Sequence, residues 1–304
     1  MAGLQAIEAT EAELGLIPTA KPRGMLIRAW EVFAENKLAL AGLAFVVFIF
    51  LFCFVGPHIY VTNQVNTDLT NYLCTPSSTH LLGCNDLGYD ELGRLMVGGQ
   101  TSLEVGIAAA LVSVLVGTLY GAISGFAGGF IDSIMMRVVD AGLSLPSLMV
   151  IIILSVIFHP TPVVIIFIIA VFYWFGVARL VRGETLALRE REYVQAVKVI
   201  GGRPMRAVLK HIVPNAIGTI IVQATFAVAD SILTLAVLGF LTLGVAPPAT
   251  DWGSMLSGGL TYIQGGNYWW LIYPPGVVII LTCIAFNFIG DALRDAFETR
   301  LQRR

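Results

Sequence analysis

Long apolar runs separated by short polar ones dominate this chain from about residue 38 onward. A hydrocarbon core of about 30 Å needs about 20 helical residues, so long gaps between charges mark candidate spans. Between Lys37 and Asp68 there is no Asp, Glu, Lys or Arg at all. Six spans emerge: Leu38 to about Pro57, about Val105 to Phe126, roughly 138 to 158, 163 to 181, about Asn215 to Val245, and Pro274 to about Gly290. The third and fourth share a charge-free stretch from Ala141 to Ala178, interrupted by His159-Pro160-Thr161-Pro162. Two prolines one residue apart break a helix, which predicts a hairpin of two spans. The first span is too long and too late to be a signal-peptide core. Membrane strands would show short alternating segments instead of continuous runs. The predicted fold is an all-α membrane protein with six transmembrane helices.

Composition agrees with lipid as the solvent. Of 304 residues 57% are hydrophobic and only 12% charged, against about 25% charged in a soluble domain. Too few polar side chains remain to cover a soluble surface, which excludes a soluble enzyme, and a disordered chain is excluded by the same apolar content. The net charge of -2 provides no basic field for nucleic acid. The position of the charges is more informative than their sum. All Lys and Arg except Arg94 fall in the N-terminal tail, at Arg137, in the loop between spans four and five with its flanks, or in the C-terminal tail. Short cytoplasmic loops retain positive charge, so both termini are expected inside. Residues 1–37 then form a cytoplasmic tail with an amphipathic segment, and 38–304 the six-helix domain. Within that domain 58–100 and 246–273 are outer loops, and 183–213 is a cytoplasmic loop.

Few residues suggest chemistry. There is no G-x-x-x-x-G-K-[ST] phosphate loop, and none of the four histidines forms an H-E-x-x-H, so no catalytic residue and no cofactor bound by this chain are expected. Cys74 and Cys84, ten apart in the outer segment, are a possible disulfide. A metal site with nearby His80 is the competing reading and lacks a second Cys-x-x-Cys pair, so no metal is assigned. Asp140 is expected to pair with Arg137 one turn away. Asp230, mid-span, is the candidate translocation-path residue, because a carboxylate at membrane depth is costly unless it has a task or a partner. The Gly125 to Gly129 run reads as a turn or a close helix contact. Trp252, Trp269 and Trp270 read as part of an outer loop near the headgroups.

The segment Glu190 to Asn215 is too polar to span. Tyr193, Ala196, Val197 and Ile200 lie on one helical face. Gly201-Gly202-Arg203-Pro204 stops that helix, and Pro204 can start another. Val208, Ile212 and Val213 continue an apolar side toward Pro214. Two short amphipathic helices around a tight turn suit docking in a groove on a partner.

This segment resembles the cytoplasmic signature of ABC importer permease subunits, E-A-A, three residues, Gly, nine residues, I-x-L-P. It falls here on Gln195-Ala196-Val197, Gly201 and His211-Ile212-Val213-Pro214, with Gln195, Val197 and His211 departing from the pattern. The resemblance extends over nearly the whole chain, to the C-type subunit of the dipeptide, oligopeptide and nickel group. His80 to Gly83 and Asp86 to Asp90 are similar to that group's H-x-L-G-T-D-x-x-G-R-D. Gly128-Gly129-Phe130-Ile131-Asp132, with Arg137 and Asp140, resembles its G-G-x-x-D and R-x-x-D run, and Pro146-Ser147-Leu148 its P-S-L. Leu238 to Val245, Pro247-Pro248 and Trp252-Gly253 resemble its L-S-F-L-G-L-G-V, P-P and W-G, with Gly239 and Thr242 in place of Ser and Gly.

The resemblance implies a type I importer permease in a prokaryotic plasma (inner) membrane. It would pair with a second homologous permease subunit, two cytoplasmic ATP-binding subunits carrying ATP and Mg, and an extracytoplasmic solute-binding protein that delivers a peptide. Tyr193, Gln195, Ala196, Val197, Gly201, Gly202, Arg203, Pro204 and Pro214 are the ATPase-coupling residues so implied. The alternative is a stand-alone secondary transporter of a small polar solute, which would usually show internal repeats and several ionisable residues at midplane. Basic-residue asymmetry predicts that single cysteines in 58–100 and 246–273 react with an impermeant thiol reagent in intact cells, in a background lacking the four native cysteines, whereas one at residue 205 does not. Labelling at 205 would overturn the topology.

Overall fold

The computed structural model describes residues 25–158, 160–192, 194, 204–262 and 266–302. Nine helices of nine residues or more organise them: α1 Met25–Glu35, α2 Lys37–Phe54, α3 Glu91–Ala127, α4 Gly129–Ser144, α5 Ser147–Ile157, α6 Pro162–Arg189, α7 Ile217–Phe240, α8 Trp252–Leu260 and α9 Tyr273–Gln302. Among the described residues there is no strand, only an isolated bridge between Cys84 and Asp90. Five stretches, α2, α3, α6, α7 and Trp269–Phe297, are long and apolar enough to cross a membrane, and α4 with α5 forms a sixth unit bent by 81°.

Span limits differ from the charge-gap reading for identifiable reasons. The second span begins at Glu91 instead of Val105 and runs for 37 residues, because Glu91, Arg94 and Glu104 are carried inside the helix. The expected outer loop 58–100 therefore ends ten residues early. The third span is not one helix over 138 to 158. It breaks at Leu145 and Pro146, where Leu145 is extended (φ -82°, ψ 139°), as a residue before proline prefers. The fourth span continues past 181 to Arg189 and the sixth past Gly290 to Gln302, so both reach beyond their apolar runs. The fifth stops at Phe240, and the expected outer loop 246–273 contains α8.

Small residues decide how these helices meet. Helix α3 and helix α6 run parallel along a seam in which Gly117, Gly121 and Gly125 face α6 in successive turns. A Cβ on Gly117 would lie 2.6 Å from the Val177 Cβ, and one on Gly125 would lie 2.8 Å from the Thr185 Cβ. On Gly121 it would collide with the Ala178 carbonyl oxygen. Lipid tails are as apolar as leucine, so helices associate by close packing instead of by escape from water, and bare glycine surfaces permit that. Antiparallel to α3 lies α7, with Ile232 filling the notch at Gly106. Helix α9 packs between α7 and α2, where Gly42 faces the Ala285 carbonyl. The main core collects Leu103, Val114, Val181, Ile212, Ile232 and Trp252, and a second cluster holds Ile151, Ile165, Ile169 and Leu235. Asn36 caps α2 by accepting from the Leu38 and Ala39 amides, and this cap separates α1 from α2.

Gly121→Leu is expected to force α3 and α6 apart, at a cost of roughly 1–3 kcal/mol for an overpacked contact. Abundance and thermal midpoint of the detergent-solubilised protein should both fall, while Gly176→Ala, on α6 where an added Cβ meets nothing within 4 Å, should leave them unchanged.

Candidate functional site

Polar side chains concentrate at the two ends of the bundle. At one end, α3, α4 and α6 converge. Asp132, in the first turn of α4, accepts from Arg182 through both oxygens, Nε to Oδ1 at 2.8 Å and Nη2 to Oδ2 at 2.6 Å, and Ser124 of α3 donates to Oδ1 at 2.6 Å. This fork-on-fork pairing fixes direction as well as distance. Gly128 (φ 66°) and Gly129 (φ 55°) make the turn that brings α4 back beside α3, a left-handed backbone that glycine adopts readily. Arg189 then reaches the Gly125 carbonyl at 3.0 Å. Asp140 pairs with Arg179 of α6, not with Arg137, since the contact across to α6 is available to it.

Residues 204–214, part of the segment expected to couple to a partner, lie beside this end. Tyr193, Gln195, Ala196, Val197, Gly201, Gly202 and Arg203 fall outside the described residues. Next in the chain comes a short α-helical turn, Pro204–Ala207, continuing into a π-helical turn, Val208–Ile212. Ala207, Val208 and Ile212 are buried against the bundle, while Met205 and Leu209 are half exposed on the other side, so this stretch is amphipathic. Pro214 is exposed just before α7. On either flank of the loop, Thr219 of α7 donates to Glu184 of α6 at 3.2 Å, tying the helix that enters the loop to the one that leaves it.

Asp230 lies midway along α7 with its carboxylate exposed on the subunit's surface, and it has no hydrogen-bond or ion-pair partner among the described residues. Its backbone carbonyl accepts from the Tyr173 hydroxyl of α6 at 3.4 Å.

The opposite end is a folded cap. Cys74 and Cys84 are joined in a disulfide. His80 lies close to both sulfurs, but a disulfide sulfur is not a thiolate ligand, and the His80 Nδ1 is hydrogen-bonded to Asp90 at 2.9 Å. Asp90 also accepts from Tyr60 at 2.8 Å and caps α3 through the Gly93 amide at 2.8 Å. Burial first, and then the Asp90 carboxylate, raise the Tyr60 hydroxyl above its ordinary pKa. Trp252 corrects the headgroup reading: it is fully buried, with its indole N–H donating to the Leu95 carbonyl at 2.9 Å and its amide to Ser102 at 3.1 Å. Trp270 is buried too, with its indole directed to the Cys84 carbonyl at 3.3 Å, and only Trp269 is substantially exposed. Asp251 caps α8 by accepting from the Ser254 amide and hydroxyl at 3.0 and 2.6 Å and from the Val245 amide at 3.3 Å. Burial pushes its carboxyl up, and those hydrogen bonds oppose the shift. Between α8, α3 and the 239–250 loop opens a cavity of about 400 Å³ lined by Glu91, Arg94, Asp86 and Tyr262 among others.

Comparison with known proteins gives this arrangement its family. Residues 117–303 match the family described as "Binding-protein-dependent transport system inner membrane component", and 24–76 match "N-terminal TM domain of oligopeptide transport permease C". The chain belongs to the binding-protein-dependent permease family. It is 41% identical over 275 residues to the dipeptide transport system permease protein DppC of Bacillus subtilis, covering 90% of this chain and 86% of that one. The oligopeptide transport system permease protein OppC of the same organism is 40% identical over 271 residues, covering 89% and 88%. The dipeptide permease DppC of Escherichia coli K12 is 40% identical over 298 residues, covering 95% and 97%. This permease is thus a multi-pass membrane transport protein.

Some of these ties escape sequence reasoning although signals are present. Asp132 stands in a motif, but its partner Arg182 is 50 residues away. Asp90 and Asp251 each precede a helix by one residue, an N-cap signature. Thr242 carries information of another kind. It is a β-branched residue at φ 61° on the cavity wall, at a position where the related pattern has Gly. Left-handed backbone costs an L-residue about 1–2 kcal/mol. Thr242→Gly should therefore stabilise the permease by about 1 kcal/mol, read as a higher thermal midpoint, and a lower midpoint would show that the threonine side chain compensates for the strain.

Proposed function

We propose that this permease is one half of the membrane path of an ATP-driven importer for di- or oligopeptides, working with a second homologous permease, two ATP-binding subunits and an extracytoplasmic solute-binding protein in a prokaryotic inner membrane. The observation that carries this reading is the near full-length similarity to dipeptide and oligopeptide permeases from two organisms. The geometry is consistent with it. A segment with one buried and one exposed apolar side, at the end bearing Arg182 and Arg189, is what a docking element requires. Basic residues at that end favour a cytoplasmic position, where ATP is available. The chain itself supplies no phosphate-binding loop, and in this reading the energy comes from subunits that dock there.

In this reading Tyr193 to Pro214 is the coupling element, and the Thr219 to Glu184 bond holds its two supporting helices at fixed spacing. Asp230 is the path residue: its exposed, unpaired carboxylate would face the second permease across the conduit and offer a site to a passing ammonium group. Such a carboxylate in contact with lipid would be costly, and a water-filled path removes that cost.

Purification with native partners tests the proposal, with an ATPase expected in equal amount with the permease. An active, homogeneous protein without any ATPase would favour the stand-alone transporter. Gly201→Trp addresses the coupling element directly, because a bulky side chain at the stop between two short helices should displace the second from its groove. Membrane abundance is expected to stay normal, while ATPase binding falls or ATP hydrolysis proceeds without uptake. Normal abundance together with normal ATPase binding and uptake would end the coupling claim.

A further inference from the structure

The cavity beneath the cap holds two charged side chains to which the transport reading gives no task. Glu91 is 2% exposed and Arg94 8% exposed, yet both line the cavity of about 400 Å³. Among the described residues no donor is bonded to the Glu91 carboxylate and no cation lies within ion-pair distance of it, Arg94 acting on it only from farther away. The Arg94 guanidinium makes a single hydrogen bond among the described residues, from Nη1 to the Pro248 carbonyl at 3.2 Å, and its Cζ lies 4.7 Å from the centre of the Tyr89 ring. An arginine has five N–H donors in a planar fork, so most of this one's donors are unused.

A carboxylate taken out of water without a partner is destabilising, and the fold could have avoided the burden with an apolar residue in the first turn of α3. Its neighbours sharpen the expectation. Asp86, hydrogen-bonded by Tyr262 at 3.3 Å, adds a second carboxylate to the same wall, so the cavity carries two negative groups and one positive. Its volume lies within the range of about 300–1,000 Å³ common to small-ligand sites.

We propose that this cavity binds a small zwitterion of amino-acid to dipeptide size, with its ammonium group on the Glu91 carboxylate and its carboxylate on the free edge of the Arg94 guanidinium. Each buried group, which now feels the other's charge only at longer range, then gains a directly bonded partner of opposite charge. A ligand missing one of its two charges leaves a buried group unpaired and is rejected strongly, because a site built around polar partners discriminates best against analogues without them. Recognition therefore rests on main-chain ends and not on side chains.

Binding is measured by titration calorimetry on the full chain with its co-purifying subunits in lipid nanodiscs, without solute-binding protein or nucleotide, so the result does not depend on uptake or ATP hydrolysis. The probes are Ala-Ala, N-acetyl-Ala-Ala, which lacks the ammonium, and Ala-Ala amide, which lacks the carboxylate. Ala-Ala is expected to saturate one site per permease chain, and each blocked form to bind at least about tenfold more weakly, a difference of 1.4 kcal/mol. Glu91→Gln, nearly isosteric, should weaken Ala-Ala by a similar factor and remove the preference for a free ammonium. The unmodified protein carries the blocked-probe comparison even if this variant folds poorly. Equal binding of free and blocked dipeptides, unchanged affinity in a folded Glu91→Gln protein, or no saturation by Ala-Ala up to about 10 mM, weaker than any specific site of this kind, would each overturn the proposal.

Discussion

The close approach of α3 to α6 is the contact on which the rest of this permease depends. Inside a bilayer the hydrophobic effect does not draw helices together, and only dispersion and polar contacts between well-fitted surfaces remain. The seam at Gly117, Gly121 and Gly125 supplies the fit. Its direction then determines what stands at its end. Because the two helices run parallel and in contact, Ser124, Arg182 and Arg189 emerge side by side, and the Gly128-Gly129 turn delivers Asp132 to the same point. Moving the seam by one turn would separate Arg182 from Asp132 by about 5 Å.

Where the polar groups gather, they also define helix starts. Asp90, Asp251 and Asn36 each cap a helix with a side-chain oxygen, and the first two also draw distant chain into the cap: Asp90 holds Tyr60 and His80, and Asp251 holds Val245. One residue thus serves local and tertiary structure together. Asp230 stands apart from this pattern, mid-helix, exposed and without a hydrogen-bond or ion-pair partner for its carboxylate among the described residues.

The sequence makes the spans legible because lipid imposes a length and an absence of charge, and both can be counted. Their ends are harder to read. Glu91 and Arg94 sit within α3 because the protein, not lipid, surrounds them, and no pattern of charges along one chain distinguishes those environments. The bend at Pro146 is legible in principle from the proline alone, although the neighbouring His159 to Pro162 break draws the hairpin elsewhere. Trp252 illustrates a further limit. An indole in an outer segment suits a headgroup region by composition, and its burial depends on Ser102 and Leu95, about 150 residues away. Pairings across such distances, Asp132 with Arg182 among them, result from tertiary packing and leave no local trace.

Helix α3 has 37 residues, which at 1.5 Å per residue makes it about 55 Å long, against a hydrocarbon thickness of about 30 Å. It therefore stands well clear of the bilayer, and its projecting turns hold Glu91, Arg94 and the floor of the cap. An unbroken helix of this kind behaves as a mast. Its foot is clamped to α6 beside residues 204–212, and its head forms one wall of the cavity under the cap, so a small tilt at the foot swings the head by an amount proportional to the mast's length. One unbroken helix thus reaches from the clamp at α6 to the cavity under the cap, so the two ends of the bundle share a single stiff body.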